Sequence, residues 1–250
     1  MATTNETGHA KNVANYEKFI GVCVGFGAEY KPSLADLKVD SMKVQLTKAK
    51  SALKELKLTE RTFGNETNNR ELAFATITGL ATRVIRSLES CGANELTVED
   101  ARSINNKLQG KRATPLTNQE LKGEADPATE PKMRSTSQRS FDNQVDHFEK
   151  LITAVSAEPR YNPNELDLQV IHLNSILEEL TIRNQLASQA ENALNDARTK
   201  RNEILYADKT GICDIVTAVK SYAISAFKTS SKEYKKLTKF KFTKIQNKKK

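Results

Sequence analysis

The strongest constraint on this chain is that its first half returns in its second. Tyr16-Glu17-Lys18-Phe19-Ile20 recurs 132 positions later as Phe148-Glu149-Lys150-Leu151-Ile152. Tyr30-Lys31-Pro32-Ser33-Leu34-Ala35-Asp36-Leu37-Lys38-Val39 recurs 131 positions later as Tyr161-Asn162-Pro163-Asn164-Glu165-Leu166-Asp167-Leu168-Gln169-Val170. The one-residue slip falls between the blocks, where Gly25, Gly27 and Pro159 mark loops that accept insertions. Self-similarity over so long a period implies two like modules rather than one continuous fold.

Both copies carry the same helix signals. Ser33 with Asp36, and Asn164 with Asp167, set a capping oxygen three residues ahead of an acid just after a proline, which predicts a helix start at each. Downstream, Val39, Met42, Leu46, Ala49, Leu53 and Leu56 step by 3 and 4, the spacing of a coiled-coil seam. The second copy answers with Val170, Leu173, Leu177, Leu180, Asn184 and Ala187, where Asn184 is a polar residue of the kind that fixes register. Apolar return helices follow, from Ile77 in copy one and from Ile212 to about Leu237 in copy two. The hairpin turns are expected near Phe63-Gly64-Asn65 and near Ala207-Asp208-Lys209-Thr210-Gly211. The second long helix, from about residue 164 to 206, outruns its return helix, so part of its seam lacks a cover. That deficit predicts self-association through helical faces.

Composition agrees with helices. Across 250 residues there is no Trp, 6% aromatic residues, ten Gly and six Pro, too little punctuation for an all-β chain and none of the glycine loops of nucleotide-binding α/β folds. The fold class read from the sequence is all-α, with two tandem homologous helical-hairpin or bundle modules and long coiled-coil-like helices. The expected organisation is a flexible N-terminal tail (1–12), module one (13–108), a polar linker containing Pro and Gly (109–138), module two (139–240) and a basic C-terminal tail (241–250).

The net charge of +8 is unevenly spread. From Lys228 to the end there are ten Lys and one Glu, whereas residues 1–227 sum to −1. Lys235, Lys236, Lys239, Lys241, Lys244, Lys248, Lys249 and Lys250 form a candidate polyanion-binding set. Tyr234, Phe240 and Phe242 lie among them, a pattern that can grip phosphates and stack on bases. Arg102 to Arg112 closes copy one with a basic stretch of its own, which would make such a segment part of the repeat. Truncation after Phe227 is expected to leave folding little changed, apart from minor losses if Tyr234 or Leu237 docks, and to lower affinity for any polyanion.

Catalytic chemistry is not visible. Cys23, Cys91 and Cys213 are far apart and outside any CxxC spacing, and His9, His147 and His172 form no metal-ligand pattern. No phosphate-binding glycine loop, nucleophile elbow or calcium loop occurs, and Ser33 reads as a cap rather than a nucleophile. The expected protein is a non-catalytic scaffold, assembly subunit or interaction protein, without metal or cofactor and without a small-molecule substrate. Its partner would be itself, as a homo-oligomer. Nucleic acid bound through the lysines is the alternative, and membrane association without a spanning segment the third. The N-terminal residues show neither a basic nor an apolar export region, so a cytoplasmic location is expected. The candidate packing residues are Val39, Met42, Leu46, Leu53, Leu56, Val170, Leu173, Leu177 and Leu180.

Overall fold

A computed structural model describes residues 8–111 and 139–244. Among them all regular structure is helical, as expected: α1 (His9–Val24), α2 (Val39–Phe74), α3 (Ile77–Ser90), α4 (Glu95–Leu108), α5 (Phe141–Ser156), α6 (Val170–Tyr206), α7 (Ile212–Phe227) and α8 (Lys232–Thr238). Residues 1–7, all of the expected linker beyond 109–111, and residues 245–250 with Lys248, Lys249 and Lys250 lie outside the described residues.

The two halves run through a similar order. A 16-residue helix, α1 or α5, leads through a connecting stretch, which in the first half holds an extra 3-10 turn at Gly27–Glu29, to a 3-10 turn, Ala35–Leu37 or Leu166–Leu168. A helix of 36 or 37 residues follows, and then two shorter ones. The turns are closed alike. Buried Tyr30 donates its hydroxyl to the carbonyl of Leu37 at 2.7 Å, and buried Tyr161 donates to Leu168 at 2.8 Å.

Here the expected helix caps are corrected. Neither Ser33 nor Asn164 caps a helix: the residues heading the 3-10 turns are Leu34 and Glu165, with no side-chain cap, and the long helices begin only at Val39 and Val170. The tyrosine bond holds the chain in a turn across Ser33 and Asn164. Asp167 is drawn instead into an ion pair with Arg83.

The expected hairpin turn at Phe63-Gly64-Asn65 is also absent, because α2 continues to Phe74. A glycine inside a helix costs about 1 kcal/mol relative to Ala. Packing outweighs it, since Phe63 sits against the cluster of Leu56, Leu194 and Ala197. The second turn falls as expected, between Tyr206 and Ile212. The return helix of copy two is broken after Phe227, where Lys228 takes φ 67° and ψ 158°, and α8 starts afresh with Ser231 as its cap. At the N-terminus, α1 starts at His9, inside the segment read as tail, and Asn12 is buried.

The described chain divides into two compact units that cut across the sequence modules. One runs up to Phe63 and resumes at Ala190; the other is Gly64–Gln189. In the first, Tyr16, Phe19, Ile20, Met42 and Ala49 share a core with Leu205, Ile212, Val216, Val219 and Leu237. Val39, Leu46 and Leu53 are half-buried against it, while Leu56 joins Leu194 and Ala197. In the second unit, Phe148, Leu151, Leu168, Leu173 and Leu180 share a core with Ile77, Val84, Leu88, Val98 and Leu108, and Val170 and Leu177 are half-buried on it.

The seam expected to lie open is therefore covered. In the first unit the early part of α2 lies against the late part of α6: Gln45 donates to the carbonyl of Ile204 at 3.3 Å, and Lys200 pairs with Glu55 at 2.8 Å. In the second, Arg70 of α2 donates to Asn184 of α6 at 3.2 Å, and Asn184 donates to Asp142.

Tyr30→Phe and Tyr161→Phe should each cost about 1–3 kcal/mol, since each leaves a turn carbonyl without its hydroxyl partner. Denaturant midpoints would read the two losses. Near-equal values are expected, and a silent variant beside a costly one would show that the two turns carry different loads.

Candidate functional site

The side chains that could do chemistry are dispersed or quenched. Burial pushes the Cys23 thiol up to about 12 and the Cys213 thiol up to about 11, so both stay protonated near neutrality. Cys91 is half-buried, and all three are unpaired with one another. Among the described residues, no group of three or more His, Cys, Asp or Glu could hold a metal ion. In the second unit an open hollow of about 410 Å³ is lined by Glu71, Phe74, Ala75, Arg139, Phe141 and Gln144. Beside it Arg70 stacks on Phe141 at 4.2 Å, and Phe141 meets Phe74 edge-on at 4.8 Å. These contacts account for the Arg70–Asn184–Asp142 chain as a register lock of the packed helices.

The C-terminal lysines are better organised. Four of them, Lys232, Lys235, Lys236 and Lys239, follow the i, i+3, i+4, i+7 spacing that sets residues on one face of a helix, and all four are exposed. Leu237 on the opposite side is wholly buried. Ser231 accepts from the backbone of Tyr234 at 3.0 Å and so fixes the start of α8.

Beyond α8 the chain is stitched to the first unit rather than trailing away. Phe240 and Phe242 meet the ring of Phe19 edge-on at 6.0 and 6.1 Å. Lys220 donates to the carbonyl of Phe240 at 2.8 Å, and Asn15 to that of Lys241 at 3.0 Å. Asn12 donates to the carbonyl of Thr243 at 2.9 Å and accepts from its N–H at 3.3 Å, holding one residue by both its backbone groups. Lys244 closes the arm on Asp214 at 2.7 Å, a pairing that lowers the Asp214 carboxyl and raises the Lys244 ammonium.

Two expectations change as a result. Residues 241–244 are a docked arm, not a tail. Tyr234, Phe240 and Phe242, read as aromatics available to bases, are packed against the core of the unit. Of the candidate lysines, Lys235, Lys236 and Lys239 share the face of α8, Lys241 is exposed on the arm, and Lys244 is engaged by Asp214. Lys232 completes the face; the helical spacing could have revealed it, had α8 been recognised as a separate helix.

The arm lies beside a histidine. Nδ1 of His9 lies 2.8 Å from the hydroxyl of Tyr206, which also accepts from Asn12 at 3.2 Å. Burial, and then the charge of Arg201, hold the His9 pKa below its ordinary value. His147, in the second unit, is lowered in the same direction, chiefly by burial.

No helix of the described residues is long and apolar enough to cross a membrane. The chain matches no protein-family model, no curated protein and no solved structure.

Truncation after Lys239 should destabilise the first unit by more than the minor losses the sequence allowed for docking of Tyr234 or Leu237. Phe242→Ala alone should cost about 1–3 kcal/mol, less than the 3–5 of a fully buried Phe because this ring is half-exposed. Thermal melting checks both, and an unchanged midpoint in the truncated protein would mean the arm adds nothing to the fold.

Acid should also loosen the structure before carboxylates titrate. His9 and His147 bind protons less readily folded than unfolded, so stability falls as pH drops from about 6.5 towards their lowered folded values. Melting temperatures between pH 7 and about 5 should show this slope. His9→Gln should flatten part of it, and an identical slope in that variant would remove His9 from the account.

Proposed function

We propose that this chain is a non-catalytic helical scaffold or assembly subunit that associates with copies of itself, and that it is built by duplication of one helical module. The repeated element order and the paired Tyr30–Leu37 and Tyr161–Leu168 bonds support the duplication. On that reading each compact unit joins the first part of one copy to the last part of the other.

One observation carries the assembly reading: the two units have opposite charge. Among described residues the first holds 22 basic and 12 acidic side chains, a net of +10, and the second holds 10 and 14, a net of −4. The acidic unit also exposes an apolar stripe on α6. Ile171, Ile182 and Leu186 are 79%, 46% and 37% exposed, with Glu178 and Glu179 between them. A basic surface on one molecule and an acidic, partly apolar surface on the next favour head-to-tail contact.

Sedimentation from micromolar to near-millimolar protein tests it. Mass should rise with concentration in low salt and fall back towards the monomer in about 0.5 M salt, where screening lengths shrink to a few Å. Ile182→Lys combined with Leu186→Lys should hold the protein monomeric. A monomer at every concentration in low salt would overturn the reading. Binding of nucleic acid through the lysines is the second reading, favoured by the exposed face of α8.

A further inference from the structure

We propose that the lysine face of α8 is a binding surface for the phosphate backbone of double-stranded nucleic acid. The inference rests on the nucleic-acid reading and names its partner and residues. Lys232, Lys235, Lys236 and Lys239 are exposed, and none makes a side-chain hydrogen bond or ion pair with a described residue. Lys228 and Lys241, also exposed and without an ion pair to a described residue, flank them in sequence.

The fold itself supplies a comparison. In α4, the positions at the same i, i+3, i+4, i+7 spacing around buried Val98 and Ala101 are exposed Leu96, Glu99, Asp100 and Ser103, with Glu95 and Arg102 exposed beside them. In α8, half-buried Tyr234 and buried Leu237 replace the two inward residues, and all four outward positions are lysine. The fold therefore needs the inward side chains of a closing helix and leaves the outward ones free. Copy one closes with scattered basic residues, Arg102 and Lys107, and not with four lysines on one outward face. Four like charges on two helical turns repel one another, and an anion lying across them relieves that repulsion.

Geometry selects the class of anion. Single-strand binders stack bases on aromatic side chains, but Tyr234, Phe240 and Phe242 are packed inward. Membrane-surface helices set apolar side chains among their basic ones, whereas the exposed residues of α8 and its cap are lysines and Thr238, none of them apolar. What remains is a short rigid row of charge. From Lys232 to Lys239 it rises about 10 Å, over which a duplex offers roughly six phosphates. The capped start, buried Leu237 and docked arm hold the row in place before any ligand arrives.

Fluorescence anisotropy with the full chain tests this, using a mixed-sequence DNA duplex of about 20 base pairs, an oligothymidine of equal length, and vesicles containing phosphatidylserine. The duplex should bind most tightly, with log K falling linearly in log salt. Replacing Lys232, Lys235, Lys236 and Lys239 together by Ala should weaken duplex binding at least tenfold and reduce the salt slope by about 3–4, near 0.9 for each phosphate no longer neutralised. A matched control, Lys31, Lys48, Lys54 and Lys57 to Ala, removes the same charge from exposed positions of the same unit and should cost much less. Both variants should melt like the parent.

An unchanged affinity and slope in the α8 variant, or an equal loss in the control, would overturn the assignment to this face. Tighter binding of oligothymidine or vesicles would overturn the duplex while leaving polyanion binding intact. Failure to bind any of the three in low salt would end the nucleic-acid reading as well. The self-association reading stands or falls separately, by sedimentation without nucleic acid.

Discussion

Helices of 36 and 37 residues cannot be covered by the 14- and 16-residue helices that follow them, and that mismatch of length is the constraint on which the structure depends. A helix draws its stability in water mainly from burying an apolar face, so an uncovered stretch of seam is a stretch without support. The chain answers, within each unit, by setting part of one long helix against part of the other. In one unit Leu56 meets Leu194 and Ala197; in the other Arg70 meets Asn184. The shorter helices then need to close only one core each. The extended stretch before each long helix is tied down by a tyrosine, so its direction is fixed before the seam begins.

The C-terminal arm follows from the same shortage of apolar surface. At seven residues α8 is too short to close the core of its unit, and the extended chain beyond it adds two phenylalanine rings. Extended backbone carries donors and acceptors that need partners, and Asn12, Asn15 and Lys220 supply them. The rings can pack inward only because alternate residues of an extended segment point to opposite sides, which sends Lys241 and Thr243 outward. Segregation of lysine from aromatic is thus a result of docking.

Much of this was legible in the sequence and some was not, for physical reasons. The seam spacing of Met42 and Leu56, and of Leu173 and Leu180, identified buried positions because helical periodicity is local. The all-helical class followed from the same pattern. Which helix covers which seam is decided by contacts between residues far apart in sequence, such as Gln45 with Ile204, and no local pattern carries it. Gly64 and Asn65 looked like a turn because propensity is a weak prior that the Phe63 contact overrides. Ser33 and Asn164 looked like caps because a hydroxyl-to-carbonyl bond seven residues long is invisible in a window of four. The lysines were found as a set, but the sequence put aromatics among them, and only the docked arm separated the two.

The matching blocks of its sequence give this chain a comparison that most proteins lack. Where a side chain faces a core, both halves solve the same problem with similar residues: Phe19 and Leu151, Leu37 and Leu168, Met42 and Leu173 are all buried. Where it faces water, the halves part company, with Glu99 and Asp100 on one closing helix and Lys235 and Lys236 on the other. Exposed charge contributes little to folding, so nothing in the stability of either unit requires that one be basic and the other acidic. Yet the separation costs repulsion within each unit that mixed charge would avoid. A polarity that folding does not need, and that folding slightly opposes, is what the proposed contacts would account for: anionic phosphate or a neighbouring copy at the basic unit, and a basic surface at the acidic one.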